Sequence, residues 1–205
     1  MRSLRILVTF AALLALSCSS WKRFAYEGFD RDSWQHPDAV VAALDIAPGD
    51  HVADLGAGGG YFTFRLAEAV GPGGRVYAVD VDEDMTAHLA RRASDEGHDN
   101  VEVILGEFED PQLPDGRVDL LFTCNTFHHL EERAAYFERV RRDLRPGGRV
   151  AIIDLNGSSW FSRTFDHYTP KQVIIDEMKA AGYRVEREVD VNDRQNFVIF
   201  ATDGG

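Results

Sequence analysis

The sequence has little cysteine, since only Cys18 and Cys124 occur among its 205 residues. Two widely separated cysteines exclude a disulfide framework and a cysteine-rich zinc cluster. The chain also lacks any apolar run of the roughly 20 residues that a membrane-spanning helix requires. A content of 44% hydrophobic and 27% charged residues excludes a disordered chain and suits one ordinary globular domain.

Basic residues are in short supply as well. The chain has 22 lysines and arginines against 34 acidic residues, which gives a formal net charge of −12. Such a chain repels phosphate backbones and anionic membrane surfaces at long range. We therefore expect no nucleic-acid partner.

The N-terminus has the layout of a secretory signal. Arg2 and Arg5 precede the apolar run 6–16, and small residues follow it. The segment 15–18 resembles the lipobox of bacterial lipoproteins, which implies that Cys18 is acylated and tethers the chain to a membrane. Cleavage without lipidation, or an N-terminal element of the fold, are the alternatives. We expect a signal peptide over residues 1–17, a linker over 18–33 and a bacterial envelope protein, periplasm-facing or secreted. An unused signal would leave the chain in the cytoplasm.

The rest of the chain alternates between short apolar segments and helical patterns. Near-continuous apolar strands that alternate with helices predict a parallel sheet covered on both faces. The predicted strands are 51–55, 75–80, 101–105, 118–124 and 149–154, and helices 61–70, 84–96 and 131–144 lie between most of them.

The two ends of this domain carry their own signals. A helix begins with Pro37 at its first position, and another begins behind Thr169 as N-cap and ends at Gly182. Two further strands, 183–189 and 196–201, have no helix between them and predict an antiparallel hairpin at one edge. We therefore expect an α/β doubly wound sheet of seven strands over residues 34–205.

A glycine-rich turn follows the first predicted strand. After Asp54 come Gly56, Gly58, Gly59 and Gly60, which let the backbone turn tightly and let a ligand approach the main chain. The fingerprint for a nicotinamide dinucleotide requires glycine at position 61, where this chain has Tyr61.

This segment resembles motif I of the class I S-adenosylmethionine (SAM) methyltransferases. The resemblance implies a Rossmann-like fold and SAM as cofactor, with Asp54 beside the amino acid moiety and the turn from Gly56 through Gly58 and Gly60 to Tyr61 around the ligand. It also places Asp80, at the end of the second strand, on both ribose hydroxyls, because a carboxylate offers two acceptor oxygens to a vicinal diol.

The resemblance extends over residues 34–201. It implies that Glu107 and Phe108 contact adenine and that Asn125 lies near the sulfonium. The family pattern is specific for the cofactor and much less so for the acceptor, for which it implies a small molecule.

The acceptor is expected beyond the loops after strands four and five, because ligands of doubly wound sheets lie outside the carboxyl ends of the strands. We identify His129 and Tyr168 as candidate catalytic residues there. The second loop also carries Trp160, Phe161 and Phe165 together with His167. The alternative is that these rings only pack the loop onto the sheet. No metal site is predicted.

Methyl transfer from a sulfonium is an in-line displacement that depends mainly on positioning. A general base is required only if the acceptor is a hydroxyl or a protonated amine. The leading hypothesis is a SAM-dependent methyltransferase acting on a small molecule. The alternatives are a nicotinamide-dependent oxidoreductase and a non-catalytic envelope lipoprotein that retains the fold.

Overall fold

The computed structural model describes residues 30–159, 163–164 and 167–202. The predicted signal peptide, Cys18 and most of the predicted linker lie outside the described residues, as do Trp160, Phe161 and Phe165. The chain divides into two units between Trp34 and Gln35. Of the first unit the structure describes Asp30 to Trp34, most of which lie in a short helix. Within the described ranges, no helix is long and apolar enough to cross a membrane.

In the described part of the chain, seven strands form one sheet. They are β1 (His51–Leu55), β2 (Arg75–Asp80), β3 (Val101–Leu105), β4 (Val118–Cys124), β5 (Leu144–Leu155), β6 (Tyr183–Val189) and β7 (Gln195–Thr202). The strand order is β3-β2-β1-β4-β5-β7-β6. The strands β1 to β5 run parallel, whereas β7 is antiparallel to both β5 and β6. The predicted α/β doubly wound sheet and its antiparallel edge hairpin are therefore confirmed.

Helices connect most of the parallel strands. They are α1 (Arg31–Gln35), α2 (Pro37–Ala43), α3 (Thr63–Val70), α4 (Glu83–Glu96), α5 (Arg133–Val140) and α6 (Lys171–Ala180), with a 3₁₀ turn at Phe127–His129. The start of α4 is fixed by Asp82, whose carboxylate accepts hydrogen bonds from the backbone N–H groups of Asp84 and Met85.

Apolar residues cover both faces of the sheet. One cluster packs strand residues such as Ala53 and Leu121 against α5 and α6, where Phe137 and Met178 are fully buried. A second cluster packs the alternate strand residues, for example Val52, against α2 and α3. Because successive side chains of a strand point to opposite faces, a continuous apolar strand supplies both cores.

The structure corrects the predicted boundary between α5 and β5. The helix spans Arg133–Val140 instead of 131–144, because Glu132 has a left-handed backbone conformation with φ 45°. Leu144 already pairs with Val118 in the sheet, so β5 begins there instead of at Arg149. A register shift between Val118 and Leu120 accommodates the extra residues before the regular pairing resumes.

Two predicted helix starts are also wrong. The helix α3 begins at Thr63 because the glycine turn extends through Tyr61. Thr169 does not cap α6, whose N-cap is Pro170. The Thr169 hydroxyl donates instead to Asp154, at 2.7 Å. The side chain that looked like a cap in the sequence is therefore part of a buried polar contact at the end of β5.

Candidate active site

The carboxyl ends of the five parallel strands meet at one edge of the sheet. In an open α/β sheet this edge holds the ligand, near the point where strand order reverses. Here that point lies between β1 and β4, because β2 and β3 continue on one side and β5 on the other.

The glycine turn after β1 has a backbone that only glycine adopts without strain. Gly56, Gly58 and Gly60 have φ values of 77°, 52° and 88°. The Gly56 N–H donates to the carbonyl of Val79 on β2, at 2.8 Å. A Cβ on Gly56 would lie 2.0 Å from the Thr126 hydroxyl oxygen. The turn therefore packs against the loop after β4 with no room for a side chain.

Asp80 ends β2 and holds the glycine turn. Its Oδ2 accepts a hydrogen bond of 2.8 Å from the Gly58 N–H, and its Oδ1 accepts one of 3.0 Å from the Asp82 N–H. Each carboxylate oxygen has a further lone pair. Asp80 is therefore fixed in place by backbone donors and can still accept hydrogen bonds from two ligand hydroxyls.

Asp54, near the end of β1, is 4% exposed. Its Oδ2 accepts a hydrogen bond of 2.6 Å from the Thr63 hydroxyl at the start of α3. Tyr61 lies in the turn between them, with the Arg65 guanidinium 4.6 Å from its ring centroid. These contacts tie both ends of the glycine turn to α3.

Exposed apolar side chains cluster at the ends of β2 and β3. Val81, Leu105 and Phe108 are 44%, 50% and 77% exposed. Leu105 is the strand partner of Asp80, which brings this apolar patch next to the carboxylate. Glu107 is exposed in the same loop, where its N–H donates to the Asp110 carbonyl at 2.8 Å. The sequence analysis named Glu107 and Phe108 but missed Val81 and Leu105, whose signal was an apolar residue beside a strand end.

A polar network lies where β4 ends. Asn125 has a φ of 57°, and its Oδ1 accepts a hydrogen bond of 2.8 Å from the Gln195 Nε2. The fully buried Gln35 donates to the Cys124 Sγ at 2.9 Å and to the Gln195 Oε1 at 3.2 Å. Cys124 is half-buried in this network.

Three imidazole rings meet beyond β4 and β5. The His128 Nδ1 lies 2.7 Å from the Asp154 Oδ1, and the Asp154 Oδ2 accepts from Thr169. The ring centroid of His129 lies 4.0 Å from that of His128, and the ring centroid of His167 lies 5.4 Å from each of the other two. The sequence analysis missed Asp154, whose signal was an acid at the end of an otherwise apolar strand.

The environment of His129 favours the neutral imidazole. Burial lowers the pKa of His129 below its usual value, and the neighbouring His128 and His167 lower it further, against a smaller opposing effect of Asp154. A neutral ring has one nitrogen that accepts a proton or binds a metal ion. His129 is therefore chemically suited to the role predicted for it.

Tyr168 is placed differently from His129. Its ring packs against Gly157, where an added Cβ would lie 2.7 Å from the ring and where φ is 75°. Tyr168 thus covers the backbone after β5 from a half-buried position. The structure joins His129 to His128 and His167, and the contacts it gives for Tyr168 are those with Gly157.

Residues 52–148 match the model of a family described as a methyltransferase domain. The chain is 36% identical over 120 residues to the arsenite methyltransferase of Halobacterium salinarum, and 36% identical over 113 residues to the nocamycin O-methyltransferase of Saccharothrix syringae. These alignments cover 58% and 55% of this chain, and 30% and 40% of the relatives. The chain thus spans well under half the length of these curated relatives.

The fold is similar to that of a SAM-dependent methyltransferase from Aquifex aeolicus. The two structures superpose with a TM-score of 0.83 at 29% sequence identity. The match covers 89% of this chain and 97% of that protein. The similarity therefore extends over nearly the whole of the Aquifex aeolicus protein.

Proposed function

We propose that the chain carries a class I SAM-dependent methyltransferase domain and that this domain transfers the methyl group of SAM to a small-molecule acceptor. The enzyme class and the cofactor expected from the sequence agree with the family match and with the fold. The single observation that carries the proposal is the arrangement of Asp80. Its carboxylate is held by the Gly58 and Asp82 N–H groups and can still accept further hydrogen bonds.

The residues at the ends of β1, β2 and β3 fit the chemistry of SAM. Asp80 suits the vicinal diol of a ribose, because its two oxygens accept one hydrogen bond from each hydroxyl. The exposed side chains of Leu105 and Phe108 offer an apolar surface to the adenine ring. Asp54, fixed by Thr63, offers a carboxylate to a cationic amino group. Gly56, Gly58, Gly60, Tyr61, Glu107 and Asn125 complete the proposed cofactor site.

Methyl transfer from SAM requires little covalent chemistry from the chain. SAM, when bound, supplies a methyl group already activated by the sulfonium. The chain must hold the acceptor atom in line with the methyl group and exclude water. We assign these tasks to the loops after β4 and β5, with His129 and Tyr168 facing the acceptor.

If the acceptor is a hydroxyl or a thiol, its proton must be removed during the transfer. The His128 Nδ1 faces the Asp154 carboxylate at 2.7 Å, which favours the tautomer whose Nε2 is unprotonated. The neighbouring His129 is neutral near pH 7, because partial burial lowers its pKa, so its ring also has an unprotonated nitrogen. Each ring thus presents an unprotonated nitrogen to this loop.

The proposal is tested with the full chain and SAM labelled in the methyl group. A panel of small hydroxyl, thiol and amine acceptors is offered, with arsenite included because a relative of this chain is named for it. Transfer of label to a small molecule supports the proposal. Binding of SAM without transfer to any member of the panel would favour the non-catalytic protein considered as the alternative.

We also propose that the mature protein begins at Cys18 and is exposed at a bacterial envelope, tethered by acyl chains on Cys18. The support is the sequence alone: Arg2 and Arg5 precede an apolar run, and small residues surround Cys18. Mass spectrometry of the protein from membrane and soluble fractions tests this. An intact Met1 terminus in the cytoplasm would refute it.

A further inference from the structure

Three histidines from two separate loops converge at the carboxyl ends of β4 and β5. One ring nitrogen of each lies within 4.8 Å of a ring nitrogen of the others. We propose that His128, His129 and His167 bind a divalent transition-metal ion of the zinc type. The sequence analysis predicted no metal site, because His167 lies in a different loop, far along the chain from the other two.

The geometry is close to that of a three-histidine site. A tetrahedral zinc ion with Zn–N bonds of about 2.0–2.1 Å holds its ligand nitrogens roughly 3.3 Å apart. Separations of at most 4.8 Å in the structure are closed by small side-chain rotations. His129 is only partly buried and is the most exposed of the three, so its ring can rotate without disturbing the core.

Asp154 orients one of the three ligands. It is fully buried, and its two oxygens contact the His128 Nδ1 and the Thr169 hydroxyl, each at 2.7 Å. A ligand histidine typically donates its second ring N–H to a carboxylate, which fixes the ring orientation and raises its basicity. The contact between Asp154 and His128 is therefore the one expected for a metal-binding histidine. It leaves the Nε2 of His128 to bind the metal.

The other two imidazoles have donor atoms to offer. Within the described ranges, the side chains of His129 and His167 make ring contacts with the cluster and no hydrogen bond. Together with the oriented His128, these two rings can supply three nitrogen donors to one ion. Zinc, copper and nickel are the ions that imidazole favours.

Three protein ligands leave a fourth position open, as in catalytic zinc sites. This step of the proposal rests on the proposed function. An acceptor hydroxyl or thiol bound there is made more acidic by the ion and passes its proton to solvent. The new O–C or S–C bond then forms as the bond between methyl and sulfonium breaks, which releases S-adenosylhomocysteine. Hydroxyl and thiol acceptors are the substrate class that such a site favours.

The test is a titration of the metal-free full chain with Co²⁺ and with Zn²⁺, followed by absorption spectroscopy and calorimetry. The variants are His129→Ala and His167→Ala, with Asp154→Asn for the orienting contact. His98→Ala is the matched control, because His98 stacks on Phe64 away from the cluster. SAM binding is measured on every variant, so that a failure of the metal site and a failure of the proposed function are distinguished.

We expect one high-affinity ion per chain, with an intense visible cobalt spectrum typical of a tetrahedral site. Affinity should fall at least tenfold in His129→Ala and His167→Ala, roughly 10- to 100-fold in Asp154→Asn, and stay unchanged in His98→Ala. If Asp154→Asn fails to fold, the two histidine variants decide. No stoichiometric binding, or equal binding in all variants, would overturn the metal site and leave a packed imidazole cluster, whatever SAM does.

Discussion

The two halves of the ligand-binding edge are built by different means. On the side of β1, β2 and β3, short continuous segments supply the site, and backbone N–H groups of Gly58 and Asp82 hold the carboxylate of Asp80. On the side of β4 and β5, distant segments contribute single side chains, and the Asp154 carboxylate is held by His128 and Thr169. The first half depends on backbone conformation, and the second depends on side-chain identity.

This difference predicts which substitutions matter for which ligand. Changes in the first half should weaken SAM binding. Changes in the second half should impair transfer to the acceptor and leave SAM binding intact. The glycine turn is the exception, because Gly56 packs against Thr126 of the second half and links the two.

The largest effect is expected at that link. Gly56→Ala places a Cβ 2.0 Å from the Thr126 hydroxyl oxygen on a backbone with φ 77°. Strain and overlap together should lower the free energy of unfolding by about 2 to 5 kcal/mol. Thermal melting and SAM titration check this against Gly73→Ala, where an added Cβ meets open space. Equal melting temperatures for the two variants would show that the turn tolerates a side chain.

Asp80→Asn should have the next largest effect. Both oxygens of Asp80 accept from backbone N–H groups, so an amide NH₂ would face a donor at one of the two positions. Loss of hydrogen bonds to a charged group should weaken SAM binding by about 1 to 3 kcal/mol, roughly 5- to 150-fold. Glu102→Gln on β3 is the control, because Glu102 is exposed and pairs with Arg75. An unchanged dissociation constant for Asp80→Asn would place the ribose contact elsewhere.

The same contrast explains what the sequence could predict. The glycine turn was identified because the spacing of its glycines indicates a backbone conformation that few other residues adopt. Asp80 was identified because it ends the second predicted strand. Strand ends were predicted to the residue for β1 and β2, where apolar runs are bounded by turns. The contact of Asp154 with His128 was missed, because it joins β5 to the loop after β4 through side chains alone. Thr169 was wrongly predicted as the N-cap of α6 for the same reason. Its hydroxyl donates to Asp154 and not to the first turn of α6.

A smaller effect is expected for the candidate acceptor residues. His129→Ala and Tyr168→Ala should each reduce turnover about tenfold, less than the roughly 100-fold or more expected for loss of an essential proton acceptor, because methyl transfer depends mainly on positioning. SAM affinity should stay nearly unchanged, because neither residue contacts Asp80 or the patch of Leu105 and Phe108. Steady-state kinetics and calorimetry on the same preparations check this. Parallel loss of SAM binding, or a melted protein, would favour a packing role.

The smallest effect concerns an acid away from the site. Asp143 is buried, one of its oxygens lacks a hydrogen-bond partner within the described residues, and burial raises its pKa to about 6. Because folding raises the pKa of Asp143, the free energy of unfolding has its full value below about pH 4 and falls as the pH rises through 6. Asp143→Asn should therefore match the parent at pH 4 and exceed it at pH 7 by about 1 kcal/mol, less than the roughly 3 kcal/mol that a rise of the pKa to about 6 implies, because the variant also loses the ion pair with the exposed Arg142. Chemical denaturation at both pH values tests this, and a variant that is less stable at pH 7 contradicts it.

The proposed cofactor site is tested by calorimetric titration of the full chain with SAM. We expect one SAM to bind per chain, with its affinity weakened in Asp80→Asn and retained in His129→Ala. Absence of binding to the folded parent protein would contradict it, as would equal weakening by the two substitutions.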